Sequence, residues 1–332
     1  VMVYDNAVGY LVGEENKGLA YMFIMMNEAR FGVCLASVAL AARTVQRAVA
    51  YAKDRLQGKD LAEGGATVPI IRHPDVRRML MLMKAQTEAM RALAYVVAAA
   101  MDFSKKSKDP EDRKRHQAFV DLMIPVVKGW STETGIEVAS LGIQVHGGMG
   151  FIEETGAAQH LRDARIATIY EGTTGIQAND LIGRKIAREG GATVKGWLKN
   201  LAQFDAELAK STNPDVARVR STLAAGAKAV GDAVDWLLAN FGKDVRAASA
   251  GAVPFLRLMG IVAGGWQMAR AALVAEKKLA AGEGEQAFYK AKIITARFYA
   301  DHVLVQAPAL RDTVVNGGAG AMALDEGQFL AV

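Results

Sequence analysis

Between Gly18 and Gly58 no proline and a single glycine, Gly32, interrupt the chain. Proline and glycine are the residues that most reliably end helices. So long a run without them predicts one long helix from Leu19 to about Gln57. Its start, "LAYMFIMM", is apolar nearly all round, as in a helix buried against several partners. The same punctuation organises the next stretch. "RHPDVRR" opens a helix with Pro74 as its first residue, running to about Asp102. "KDPEDRK" opens a third, in which Asp109 can cap, Pro110 fits the first turn, and Glu111 and Asp112 suit the positive end of the dipole. Pro125 lies inside this helix and is expected to kink it. The helix should stop at the glycines of "QVHGGMG". Shorter helices are expected over about 156–165 and 175–189, on either side of a break at "IYEGTTGIQ".

After "REGGAT" the pattern changes. Helical periodicity recurs over about 193–211, 214–241, 244–281 and 284–306, with Asn213 as a cap before Pro214. Four helices with short connections imply an up-and-down bundle. The Gly-rich tail after Pro308 reads as irregular. The fold class is therefore all-α, with one helical unit over 19–190 and a second over 191–332. Residues 1–18 form a short, Gly-punctuated, partly β-like lead-in. Aromatic residues make up only 7% and alanine is abundant, which suits closely packed helices.

The net charge of +5 is spread along the chain and does not point to nucleic acid. The densest basic stretch, "KKSKDPEDRKRH", has acids interleaved and reads as a solvated connection. The one cysteine, Cys34, lies in the apolar run "FGVCLASVALAA" and reads as a small core residue. One cysteine and no secretory pattern give the expectation of a cytoplasmic protein. "FGVCLASVALAA" and "LMGIVAGGWQMA" each fall short of the ~20 residues a span needs, so no membrane span is expected.

Two stretches could carry chemistry. "QVHGGMGF" superficially suggests a phosphate loop, but no strand precedes it and the dinucleotide spacing is absent. On spacing it reads as a helix stop, with room left for backbone amides and Gln144 to approach a ligand. His146 reads as a hydrogen-bonded structural histidine, and "RDARI" as a salt-bridged helix face. Glu171 lies between Tyr170 and Gly172 in the break. From the residues alone it is either a carboxylate in a solvated turn or a base at the edge of a pocket.

The order "GEENKG…NEARFGV…AYAKDRLQGK…QVHGGMGF…RDARIATIYEGTTGIQ" resembles the C-terminal helical domain of flavin-dependent acyl-CoA dehydrogenases over about Val12 to Arg188. "HPDVRRML" and the long extension resemble a large bacterial subgroup acting on fatty acyl and methylthio-acyl thioesters. The resemblance implies that Glu171 removes the α-proton of an acyl-CoA, the β-hydrogen leaving as hydride to flavin N5 and giving a 2-enoyl-CoA. A carboxylate is suited to this when desolvation strengthens it as a base. Some relatives place the base just before an arginine of the first long helix. Here that arginine is Arg30 and the preceding residue is Ala29, which cannot act, while Glu28 is turned about 100° away.

By the same resemblance Arg55 contacts the FAD pyrophosphate across a subunit interface, and Gln57 is a neighbouring polar contact. Gln144, Gly147 and Gly148 match adenine-side contacts and Thr173 a further flavin contact. Arg30, Tyr170 and Gly172 would line the thioester pocket. The phenylalanine usual in the Arg55 motif is missing, and Gly175 replaces a frequent glutamine. No metal is implied. The expected partners are an acyl-CoA, electron-transferring flavoprotein and further copies of the chain, as a homodimer or higher oligomer.

Relatives carry a helical domain and a β-domain before this stretch, so the chain is expected to be a C-terminal fragment. Residues 1–18 would then be the end of the β-domain, and the chain alone would lack part of its FAD site. Two other functions stay open: a helical oligomerisation module without flavin, and an acyl-CoA oxidase.

Overall fold

The computed structural model describes residues 2–330. Among the described residues twelve α-helices and one β-hairpin follow one another. Helix α1 (Gly18–Asp54) leads into the antiparallel strands β1 (Leu56–Asp60) and β2 (Gly64–Pro69), then α2 (Pro74–Lys106) and α3 (Pro110–His146). The short helices α4 (Gly148–Phe151), α5 (Ala157–Arg165) and α6 (Thr174–Asn179) come next, α6 continuing as a π-helical stretch over Asp180–Ala187. The second half comprises α7 (Ala192–Leu208), α8 (Pro214–Asn240), α9 (Val245–Ala250), α10 (Ala252–Ala280), α11 (Gln286–His302) and α12 (Ala307–Ala321).

The start signals act as expected. The Asp109 carboxylate accepts the Glu111 N–H at 3.0 Å, and Asn213 Oδ1 accepts that of Asp215 at 2.9 Å. Several expectations are corrected. Helix α1 ends at Asp54, because Arg55 turns extended and the chain enters a hairpin pairing Leu56 with Pro69 and Lys59 with Thr67. Asp60 Oδ1 closes its turn by accepting the Ala62 and Glu63 N–H groups at 2.9 and 3.1 Å, which hold its carboxyl below the usual range. The helix expected over 244–281 divides at Gly251 into α9 and α10. The tail after Pro308 is helical through Ala321, and Gly318 serves there as a contact point: a Cβ at that position would stand 2.9 Å from the Ala247 carbonyl oxygen of α9. Helix α3 runs unbroken through Pro125. Residues 2–17 are exposed and form no strand.

Helices α1 and α3 lie side by side and parallel. Cys34 meets Ser131 (Sγ–Oγ 3.5 Å), Ser37 meets Gly135, Thr44 meets Gly142 and Tyr51 stacks on His146, the positions rising together on both helices. Burial pushes the Cys34 thiol up to about 12, an inert core group. Helix α2 packs on α3, and α10 joins this unit to the second one, touching α2, α3, α8, α11 and α12. At that junction the Trp130 ring lies against Gly260 and Gly264, where a Cβ would approach it to 2.2 and 2.8 Å. The buried Tyr299 hydroxyl donates to the Ile261 carbonyl at 3.0 Å beside them. The described core is thus continuous across both units.

Helices α1 and α10 are, by length and composition, apolar enough to cross a membrane, which runs against the expectation drawn from uncharged stretches alone. For α10 the apolarity serves the core, 78% of its most apolar window being buried. For α1 the figure is 28%. Its buried face begins only at Arg30, so the apolar start expected to be covered on all sides lies open instead, with Phe23 at 42% and Ile24 at 69% exposure.

Gly260→Ala forces a methyl into the Trp130 ring, and overpacking of this kind costs about 1–3 kcal/mol. Gly196→Ala in α7, where a Cβ meets nothing within 4 Å, has the opposite sign and gains about 0.5–1 kcal/mol. Chemical denaturation of the two variants checks both signs.

Candidate active site

The break between α5 and α6 holds an unusual backbone. Glu171 has φ +57° and Gly172 φ +89°, two successive left-handed residues of which only the second is glycine. For a non-glycine residue this conformation costs roughly 1–2 kcal/mol, and it persists only where the surroundings enforce it. Glycine at 172 is required on a second count, since a Cβ there would stand 2.8 Å from Gln177 Nε2.

The enforcement comes from three side chains on the two carbonyls of the turn. Arg30 Nε of α1 donates to the Glu171 carbonyl at 3.4 Å, and Gln177 Nε2 of α6 donates to it at 3.1 Å. Gln177 also reaches the Gly172 carbonyl at 3.2 Å, which Lys128 Nζ of α3 approaches to 2.7 Å. Helix α6 then starts cleanly, Thr173 Oγ1 capping the Ile176 N–H at 3.3 Å. Thr174 Oγ1 donates to Glu133 of α3 at 2.5 Å. The Glu171 side chain is half-buried, and among the described residues no hydrogen bond or ion pair holds its carboxylate. The turn is therefore fastened through its backbone while its acid is left free.

Arg30 is 7% exposed and pairs with Asp180 at 3.2 Å. Placed by resemblance in the thioester pocket, it is committed by the structure to Asp180 and the Glu171 carbonyl, so it braces the turn from beneath. Asp180 opens the π-helical stretch and also faces Arg184 at 3.7 Å. Such stretches recur at functional sites because they re-aim side chains. Ala29 precedes Arg30 as the sequence requires, and Glu28 is drawn into an exposed pair with Lys105 at 2.6 Å, outside this cluster. Tyr170 is 43% exposed beside Glu171.

The residues matched to flavin contacts lie apart from the turn, except Thr173. Arg55 donates to Gln57 Oε1 at 3.3 Å at the root of the hairpin. Gln144 lies in the last turn of α3, Gly147 caps that helix and Gly148 opens α4. The Tyr51–His146 stack, at 4.4 Å between centroids, brings these two groups to the same end of the α1–α3 pair. His146 is structural: Nδ1 lies 2.7 Å from the Gly142 carbonyl. From Lys128 to His146 along α3 is roughly 27 Å at 1.5 Å per residue, so the Glu171 turn and the residues matched to flavin contacts lie well apart within one chain.

The dinucleotide half-site fits the group that the resemblance implies. Gly147 has φ +60°, and both Gly147 and Gly148 face open space where a side chain would otherwise stand. Arg55 has no acidic partner among the described residues, leaving its charge for an anion such as a pyrophosphate.

The sequence reading missed Lys128, Glu133, Gln177 and Asp180. A usable signal existed for the first, as the only charge in the run "LMIPVVKGWST". Nothing in the sequence says that Gln177 would bridge two carbonyls six and five residues back.

Comparison with known proteins gives the family. Residues 16–186 match the profile described as acyl-CoA dehydrogenase, C-terminal domain, and residues 194–325 that described as acetyl-CoA dehydrogenase C-terminal like. A 3-methylmercaptopropionyl-CoA dehydrogenase of Ruegeria pomeroyi is 50% identical over 96% of this chain and 54% of its own length. A broad-specificity linear acyl-CoA dehydrogenase of Mycobacterium tuberculosis is 34% identical over 97% of this chain and 55% of its own. The chain thus spans about half the length of the curated relatives it matches. The fold is shared with a Bacillus anthracis acyl-CoA dehydrogenase solved with FAD, at a TM-score of 0.70 and 20% identity over 96% of this chain and 53% of that one. The two profile matches and the identity across nearly the whole chain establish that it belongs to the acyl-CoA dehydrogenase family.

Proposed function

We propose that this chain carries the base and part of the flavin site of an acyl-CoA dehydrogenase, with Glu171 abstracting the α-proton of an acyl thioester. The observation that carries this reading is the turn itself: a strained non-glycine residue in a turn that three side chains fasten through its two carbonyls, its carboxylate unheld. A structural carboxylate would be paired or solvated on relaxed backbone. A base has to be positioned and left free to take a proton.

The residues divide the work. Glu171 takes the α-proton, and Gly172 keeps the approach to the turn clear of side chain. Tyr170, adjacent and amphipathic, shields the thioester from water, while Arg30 fixes the turn from the protein side. At the other end of α1 and α3, Arg55 and Gln57 would hold the pyrophosphate region of FAD, and Gln144, Gly147 and Gly148 its adenine side, with Thr173 near the base completing the set. FAD, when bound, supplies the acceptor for the β-hydrogen, so that the product is a 2-enoyl-CoA. The roughly 27 Å between half-sites supports a homodimer or higher oligomer in which Arg55 serves a neighbouring subunit's flavin. We take the reoxidant to be electron-transferring flavoprotein, and place the protein in the cytoplasm, consistent with a single buried cysteine.

A second reading is a helical assembly module that binds no flavin. The observation in its favour is the exposure of Arg55, Gln57, Gln144, Gly147, Gly148 and Thr173. An acyl-CoA oxidase would share the base and differ in releasing hydrogen peroxide.

Two experiments test the proposal. In the holoenzyme, Glu171→Gln lowers turnover by at least ~10²-fold, the typical worth of a positioned base, while flavin and acyl-CoA still bind. Turnover near the wild-type rate in that variant would exclude Glu171 as the base. Arg55→Ala, by removing a charged donor worth about 1.5–3 kcal/mol, weakens FAD retention about 10- to 100-fold as read by equilibrium dialysis. A preparation that stays colourless with added FAD, in wild type and variant alike, would favour the assembly module.

A further inference from the structure

Lys128 is fully buried in α3, within "IPVVKGWST". Burying an ammonium costs several kcal/mol unless partners compensate. Burial first, and then the nearby Arg30 charge, pushes this lysine down to about 8, while Glu133 and Glu171 pull the other way. Methionine would fill a similar volume without that cost. The geometry shows what the ammonium is placed to do. Among the described residues no acid lies within ion-pair distance, and its one hydrogen bond, 2.7 Å to the Gly172 carbonyl, is the shortest on the turn.

We propose that Lys128 is a positioning residue for the Glu171 base: its ammonium on the Gly172 carbonyl locks the left-handed Glu171–Gly172 pair with the carboxylate aimed and free. This rests on the reading of Glu171 as base. The other donors are divided, Gln177 between both carbonyls and Arg30 between the turn and Asp180. Lys128 alone is committed undivided, and its bond is charge-assisted, hence about twice as strong as a neutral one. The charged groups facing it are Arg30 from α1 with its partner Asp180, Glu133 from α3 itself, already engaged by Thr174, and Glu171. A turn freed to relax toward ordinary helical φ would carry the carboxylate away, and a displacement of about 1 Å can cost ~10²-fold in rate.

The test uses Lys128→Met and Lys128→Gln in the holoenzyme. The readout is solvent exchange of the α-hydrogens of a bound acyl-CoA whose β-atom is sulfur and so has no hydrogen to lose. Exchange in Lys128→Met falls about 10- to 100-fold, with acyl-CoA affinity within about threefold and flavin content unchanged. Lys128→Gln keeps a donor for the carbonyl and recovers part of the loss. Unchanged exchange in Lys128→Met overturns the proposal, as does a loss that tracks lost affinity or flavin. Should Lys128→Met not fold, Lys128→Gln decides alone: slower exchange at unchanged affinity supports the role and wild-type exchange overturns it. Glu171→Gln in parallel separates the two claims, since exchange that persists there sinks the base assignment whatever the lysine variants do.

A second readout needs no substrate. The folded lysine titrates below the unfolded one, so its charge destabilises the fold below about pH 8. Between there and the ordinary lysine range the unfolded state holds the extra proton, and wild type gains thermal stability relative to Lys128→Met. A difference in melting temperature that does not change over that range would overturn the buried ammonium.

Discussion

One short segment of α3, Lys128 to Glu133, is the constraint on which the molecule turns, because every side of the helix there is committed to a different partner. Lys128 holds the Gly172 carbonyl, and Gly129 admits Leu256 of α10, whose methyl would stand 2.8 Å from any Cβ. Trp130 lies in the groove of Gly260 and Gly264, Ser131 meets Cys34 of α1, and Glu133 takes the Thr174 hydroxyl at the start of α6. A helix so occupied cannot rotate or slide without breaking contacts on all sides at once, and close-packed interiors transmit such displacements instead of absorbing them. The C-terminal bundle, which carries no candidate catalytic group, therefore bears on the site: it fixes the register of the helix that fixes the turn.

The turn shows how a fold can aim a carboxylate without touching it. Any direct partner for the Glu171 side chain would stabilise one protonation state and oppose the other, which would hinder the base proposed for this position. Constraint is moved instead to the backbone, where Arg30, Lys128 and Gln177 act on carbonyls that do not change during proton transfer. The left-handed φ at Glu171 is the cost of that arrangement. Two buried cations beside one turn mark how much of the surrounding structure is spent on holding it.

The legible part of the fold was the part written in local chemistry. Caps and first-turn prolines at Asp109–Pro110 and Asn213–Pro214 placed helix starts, and breaker-free runs placed helix bodies, because both effects act within a few residues. Errors arose where a residue's role depends on a distant neighbour. The Gly-rich tail after Pro308 read as irregular because glycine usually breaks helices, whereas Gly318 admits the α9 backbone. The hairpin after Asp54 was missed because "RLQGKD" continues the helical periodicity until Gly58. At the site, Glu171 was picked out by its company in the sequence, but its clamp was not, since Lys128 and Gln177 acquire meaning only from the carbonyls they reach.

The parallel pairing of α1 and α3 has a further consequence for the site. Both helices run from the Glu171 turn, braced by Arg30 and Lys128, to the end that carries Arg55, Gln57 and Gly147, the proposed dinucleotide contacts, and they touch at small residues along the way. At Gly142 the fit is so close that a Cβ would stand 2.4 Å from Thr44 Cγ2. Two rigid rods locked together by small residues set one fixed distance between the two half-sites, where a flexible connection would leave a range. If neighbouring subunits each complete the other's flavin site, that distance is what lets one symmetric arrangement satisfy both ends at once. The alanines of α1 and the spaced glycines Gly129, Gly135 and Gly142 of α3, which from composition alone say only that helices pack closely, would then act as a spacing device for the proposed chemistry.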